Sequence, residues 1–272
     1  MTRLGMKAIL QTVAAAAVLL ATPLPLLSES TAEPPLPSVA TVLERVARQT
    51  EKESDNERAF NQRYGYTRTK VTEYRNGKGD LKKREEKKIA NHPSAVLVAH
   101  RAQPAGLTPN ANPGADKNEA AAEASSNVRG KAFEKKDFSI NDDLLGRFEF
   151  DLVGRKMING RPTLLLDFKP AKKNLPERSI KDRFINKAAG QVWVDEADYV
   201  IAKAEVYLTE AVNVVGGLVG AVWKFNYRFD RERTSDGLWF TRAVDWHLEG
   251  RELVLRRAID YHEGKTGVRK LW

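Results

Sequence analysis

Val222-Trp223-Lys224-Phe225-Asn226-Tyr227-Arg228-Phe229-Asp230 alternates ring and polar side chain without a break. Successive residues of a strand point to opposite faces. Trp223, Phe225, Tyr227 and Phe229 therefore share one side, and Lys224, Asn226, Arg228 and Asp230 the other. A helix would scatter the same rings around its axis, so the segment is a strand with one buried face. It extends from Val222 to Arg233.

The next two segments repeat the pattern. Leu238, Phe240, Val244, Trp246 and Leu248 lie together on a strand from Leu238 to Glu249, and Leu253, Leu255, Ile259 and Tyr261 on one from Glu252 to His262. A two-residue turn at Gly250-Arg251 predicts pairing of Trp246 with Leu255 and of Phe240 with Tyr261. Register then gathers the three apolar faces on one side of the sheet. That side also receives Arg242 and Arg257, next to Val244 and Ile259. Two readings stay open, since a buried arginine needs a partner. One is an internal ion pair, or a face whose rim is wet. The other is a cavity that keeps cations for an anionic or carbonyl-bearing amphiphile. The candidate lining is Trp223, Phe225, Tyr227, Phe229, Phe240, Arg242, Val244, Trp246, Leu255, Arg257, Ile259 and Tyr261.

Outward from this core, period two recurs. Tyr64 to Thr72 alternates into the turn Asn76-Gly77-Lys78-Gly79, and a return strand runs from Leu81 to Ile89. Ala95 to His100 reads as a short apolar strand. Phe148–Ile158 and Arg161–Phe168 flank Asn159-Gly160, a strong hairpin signal. Further strands are expected at Gln191–Asp195 and Tyr199–Glu210. Two helices complete the pattern. Val39, Val42, Leu43 and Val46 recur at helical spacing behind Ser38 or Thr41 as N-cap, with Glu44 completing a capping box. Ser179 to Ala189 forms the second, with Gly190 as its terminator. About ten strands with short turns and two helices predict one mainly β domain, a large curved antiparallel sheet spanning residues 33–272. Gln103 to Gly130 is poor in large apolar residues and is expected to be a mobile insert.

Residues 1–32 have a basic start (Arg3, Lys7), an apolar middle from Ala8 to Leu27 and small residues at Ser30 and Ala32. This is the pattern of a cleaved signal peptide, and it predicts export to the periplasm. Pro23 and Pro25 argue against the alternative, a retained anchor. The chain of 272 residues carries a net charge of +9 and no cysteine. Thiol catalysis, cysteine-ligated metal, disulfides and a lipobox are thereby excluded. Basic residues alternate with acidic ones, as in Lys82-Lys83-Arg84-Glu85-Glu86-Lys87-Lys88, which reads as a solvated face and not as a nucleic-acid surface. Asp245, His247 and Glu249 share a strand face, but the expected register sets Asp245 beside Arg256 as an ion pair, so no metal is assigned. Asp195, Glu196 and Asp198 form a turn cluster. No nucleophile elbow, phosphate loop or acid–base pair occurs, and neither enzyme activity nor a cofactor is expected.

Three motifs carry a resemblance: Gly160-Arg161-Pro162, Gly190-Gln191-Val192-Trp193-Val194-Asp195 and Asp198-Tyr199-Val200-Ile201-Ala202-Lys203-Ala204-Glu205. Together they resemble the bacterial outer-membrane lipoprotein-sorting family, LolA/LolB-like, from about Val39 onward. The resemblance implies an unclosed β-barrel lidded by its helices, with an apolar concavity that shelters acyl chains. It implies a carrier or chaperone whose partners are lipid or lipoprotein acyl chains; the absence of cysteine favours a soluble periplasmic form, and a monomer is expected. An envelope sensor or protein-interaction domain of the same fold is the alternative. No family site residue matches position by position, so none is carried over.

Overall fold

A computed structural model describes residues 34–93, 142–171, 175, 177, 179–214 and 220–271. The predicted signal peptide, the Ala95–His100 strand and the Gln103–Gly130 insert lie outside the described residues. Two helices in succession, α1 (Val39–Glu51) and α2 (Glu53–Arg63), lead directly into β1 (Tyr64–Asn76) and β2 (Leu81–Asn91). A single turn, α3 (Asp142–Leu145), precedes the hairpin β3 (Phe148–Ile158) and β4 (Arg161–Pro170). After α4 (Ile180–Ile185) come β5 (Ala188–Asp195), β6 (Ile201–Leu208), β7 (Val212–Val214), β8 (Gly220–Arg233), β9 (Trp239–Glu252) and β10 (Leu255–Lys270). The mainly β expectation holds.

All ten strands join one antiparallel sheet in the order β2-β1-β10-β9-β8-β6-β5-β4-β3, with β7 added beside β8. The ends β2 and β3 do not pair, so the barrel is unclosed. β2 stays soluble as an edge because its charged run, Lys82 to Lys88, is exposed on both faces; charge along an edge opposes pairing with a second sheet. Curvature has a local cause. Bulges interrupt the register between Gly65 and Thr67, Leu152 and Gly154, Val222 and Lys224, and Asp230 and Arg231, among others, and each adds bend and twist to its strand. The Asn159-Gly160 turn has both residues at positive φ, +49° and +74°, as a two-residue hairpin turn requires.

Ser38 caps α1, its hydroxyl accepting from the Thr41 amide at 3.1 Å. Glu44 completes no capping box; it pairs with Arg48 one turn on. Val42 and Val46 are buried on Leu164, Leu166 and Val194 of β4 and β5, a contribution of about 1.5–3 kcal/mol for each valine. The helix pair is anchored a second time by Phe60, which stacks on Phe240 (4.7 Å), Tyr64 (5.0 Å) and Tyr66 (5.5 Å). Asn56 adds a clamp in which its side-chain amide donates to the Trp239 carbonyl and accepts the Trp239 amide, at 2.6 and 2.9 Å. Among the described residues, no helix is long and apolar enough to cross a membrane.

Two sequence expectations need correction. The helix predicted over Ser179 to Ala189 is α4 and ends at Ile185, and Gly190 lies inside β5 instead of closing it. A Cβ there would sit 1.9 Å from the Glu205 carbonyl oxygen, so Gly190 is required by the close approach of β6. The β9–β10 turn falls at Leu253-Val254, not Gly250-Arg251, and Trp246 faces Tyr261 while Ile259 faces Leu248. This slip is an even number of residues, which leaves Trp246, Leu248, Ile259 and Tyr261 on the face predicted for them.

Candidate ligand cavity

The sheet and its helices enclose a cavity of about 590 Å³, inside the roughly 300–1,000 Å³ range of small-molecule sites. One wall is sheet: Phe148 and Phe150 of β3, Leu166 and Phe168 of β4, Val192 and Val194 of β5, Ala204 and Val206 of β6, and Phe225, Tyr227 and Phe229 of β8. Leu43 and Val46 of α1 lie across from it, with Leu144 and Leu145 of α3 and Phe184 and Ile185 of α4. The rings touch edge to face along this wall, as in Phe184–Phe225 (6.3 Å), Tyr227–Phe229 (6.1 Å) and Phe148–Phe168 (5.1 Å). Edge-to-face contact suits the aromatic quadrupole.

Polar groups collect where α1 meets α2. Gln49, Thr50, Glu53, Ser54 and Glu57 line the cavity there, opposite Arg231 of β8 and Thr241 of β9. Arg231 is 6% exposed, and its two terminal nitrogens donate to Glu53 at 2.6 and 3.0 Å. Its Nε is buried and has no partner among the described residues, a costly state for a donor. α4 stands at the opposite end, where β5 begins, and contributes Lys181. The hollow is thus apolar along most of its length, with a polar cluster at the α1–α2 pole and a single lysine at the α4 end. On its wall the Tyr227 hydroxyl is pushed up to about 12, by burial first and then by Glu263.

The sequence candidates divide. Phe225, Tyr227, Phe229 and Val244 line the cavity. Trp246, Ile259 and Tyr261 stay on the predicted face but pack with Phe225 and Tyr74 into a solid cluster beside it; Trp246 stacks on Tyr261 at 5.3 Å. Phe240 is taken up by the Phe60 stack. The remaining four are corrections. Trp223 and Arg242 are the extra residues of the two β8–β9 bulges. A bulge breaks strict alternation, which turns Trp223 out to 39% exposure and Arg242 out to a surface pair with Glu232. Leu255 and Arg257 sit at the protruding β9–β10 tip, where Arg257 pairs with Glu252 at 3.1 Å. The buried arginine on the cavity wall is instead Arg231, which continues the Phe225-Tyr227-Phe229 series by one more step of two.

The other polar candidates are satisfied structurally. Asp195 is fully buried and receives Arg161 at 2.6 and 2.8 Å and the amides of Ala197 and Asp198. Glu196 holds Arg155, and Asp198 accepts from Arg233 and the Trp239 indole. Asp245 faces His262 at 2.6 Å instead of Arg256, because the turn is displaced. His247 lies between Asp260 (2.6 Å) and Glu249 (2.8 Å). Hydrogen bonds from Lys224 and His247 hold the Glu249 carboxyl down to about 2. Among the described residues no group of three His, Asp or Glu side chains has metal-binding geometry.

Fold and cavity together define an unclosed antiparallel sheet that wraps an apolar hollow with helices at both ends. No protein-family profile and no curated protein matches the chain in sequence. Solved structures similar to it include an outer-membrane lipoprotein-sorting protein domain from Vibrio parahaemolyticus, 13% identical, covering 84% of this chain and 93% of the other with a TM-score of 0.33. A DUF1329 family protein from Desulfovibrio piger is 14% identical over 86% of this chain and 93% of its own, with a TM-score of 0.29. MucB of Pseudomonas aeruginosa, solved in complex with MucA, is 8% identical over 83% of this chain and 98% of the other, with a TM-score of 0.22.

Proposed function

We propose that this chain is an exported carrier or chaperone that shelters the apolar part of a lipid, lipoprotein or other amphiphile in the cavity between its sheet and helices. One observation carries the reading: the faces of β3 to β8 leave a 590 Å³ hollow lined by rings and aliphatic groups, where a solid core would have closed. Empty apolar space lowers stability, and an acyl chain entering it recovers about 25 cal/mol for each Å² of apolar surface removed from water. The polar pole at Gln49, Glu53, Arg231 and Thr241 gives the amphiphile an orientation, head toward the α1–α2 junction and tail toward α4. The periplasmic setting rests on the pattern of residues 1–32 alone.

A fluorescent acyl-chain probe tests this. Its emission rises on titration with the protein, saturates near one probe per chain, and falls when unlabelled long-chain lipid is added in excess. A linear, non-saturating response, or none, removes the carrier reading. A second reading, a domain that binds an envelope protein, is favoured by the edge strand β3, unpaired on its outer side among the described residues, where Val153 and Met157 are 54% and 64% exposed. An unpaired edge is a template for an added strand. Under that reading a protein partner binds and the probe does not.

A further inference from the structure

The β9–β10 turn projects three apolar residues into solvent. Leu253 is 62%, Val254 87% and Leu255 59% exposed. Leu253 also has φ +54°, a region that costs a leucine free energy and that Asn or Gly occupies more readily. A residue ill suited both to water and to its backbone angle does nothing for the turn it sits in. Such outliers mark positions kept for another purpose.

The surroundings indicate the purpose. Arg251, Arg256 and Arg257 flank the tip against a single acid, Glu252. Arg256 lies over the ring of half-exposed Trp223 at 5.9 Å. The β1–β2 turn reaches the same end of the sheet, since Asn76 faces Arg257, and it brings Lys78 together with Asp80, so the excess of cations comes from the three arginines. Apolar residues at the apex, an indole behind them and a collar of cations form the arrangement that enters the headgroup boundary of an anionic bilayer. Each cation near such a surface adds about fivefold to partitioning. We propose that the β9–β10 tip seats the protein on anionic lipid bilayers, with Leu253, Val254 and Leu255 entering the boundary and the arginines on the lipid headgroups. This inference is independent of what the cavity holds.

The chain has no cysteine, so Val254→Cys provides one position for an environment-sensitive fluorophore in the full chain. Its emission brightens and shifts to the blue on vesicles of phosphatidylglycerol and phosphatidylcholine, and much less on phosphatidylcholine alone. The same label at Met157→Cys, on the edge strand at the far end of the sheet, stays unchanged. Leu253→Asn separates docking from folding because its two effects have opposite signs. It relieves the backbone and raises the thermal midpoint by about 2–4 °C, while vesicle partitioning falls roughly tenfold. A silent label at 254, an equal response to both lipids, an equal response at 157, or unchanged partitioning of Leu253→Asn each overturns the proposal.

Discussion

Replacing Gly190 by alanine is expected to lower the thermal midpoint by about 10 °C, although it adds one methyl group. At Gly190 a Cβ would lie 1.9 Å from the Glu205 carbonyl oxygen and 3.0 Å from the Val206 Cα. Neither atom can yield alone, because β5 and β6 are hydrogen-bonded from Ala188–Leu208 to Trp193–Lys203. Relief requires the strands to part at the floor of the cavity, at a cost of about 4 kcal/mol, in the range of severe single substitutions. For a domain of this size each kcal/mol moves the midpoint by about 2–4 °C. Gly160→Ala is the control. Among the described residues nothing stands within 4 Å of a Cβ there, and the φ of +74° opposes it, so the loss is about 1 kcal/mol. Thermal unfolding followed by circular dichroism compares the two. Equal losses would show that β6 does not crowd Gly190.

Val206→Asp combined with Phe229→Asp is expected to weaken acyl-probe binding by roughly a hundredfold. Both side chains line the cavity from adjacent strands, with Ala204 facing Phe229 and Val206 facing Tyr227. Each is only half-buried, so its carboxylate can be hydrated within the hollow while the sheet remains intact. A tail would then have to desolvate two charges and would lose two apolar contacts worth about 1.5 kcal/mol each. Far-UV circular dichroism and a midpoint within a few degrees of wild type establish that the variant is folded. Val206→Trp, which fills space without charge, should weaken the same titration. Undiminished probe binding by both variants would place the ligand elsewhere.

Much of this was legible in the chain because strand alternation is a local signal. The ring series of β8, the Asn159-Gly160 turn and the Val42/Val46 stripe of α1 each imply one structure, and each formed it. Face assignments survived an error in the β9–β10 turn because the slip was even. What failed was non-local or depended on a single inserted residue. A bulge is a one-residue irregularity in pairing, and nothing in Val222-Trp223-Lys224 or Thr241-Arg242-Ala243 announces it. The two bulges nevertheless decide that Trp223 and Arg242 leave the cavity face. Gly190 was read as a helix terminator because its real constraint, the Glu205 carbonyl, comes from a different strand. Arg231 could have been found by extending the alternation past Phe229. Its partner Glu53 is 178 residues away, beyond any local signal. The cavity is a property of curvature and of where the helices sit, so sequence reading supplied its lining only in part.

Native mass spectrometry of the protein purified from the periplasm, under conditions that preserve non-covalent complexes, most directly tests whether the hollow is occupied by an amphiphile. The expected spectrum contains a species heavier than the polypeptide by the mass of one lipid or acylated molecule, released on activation and depleted in Val206→Asp/Phe229→Asp. Repeated spectra of the bare chain, from protein that is folded and exported, would contradict the carrier account.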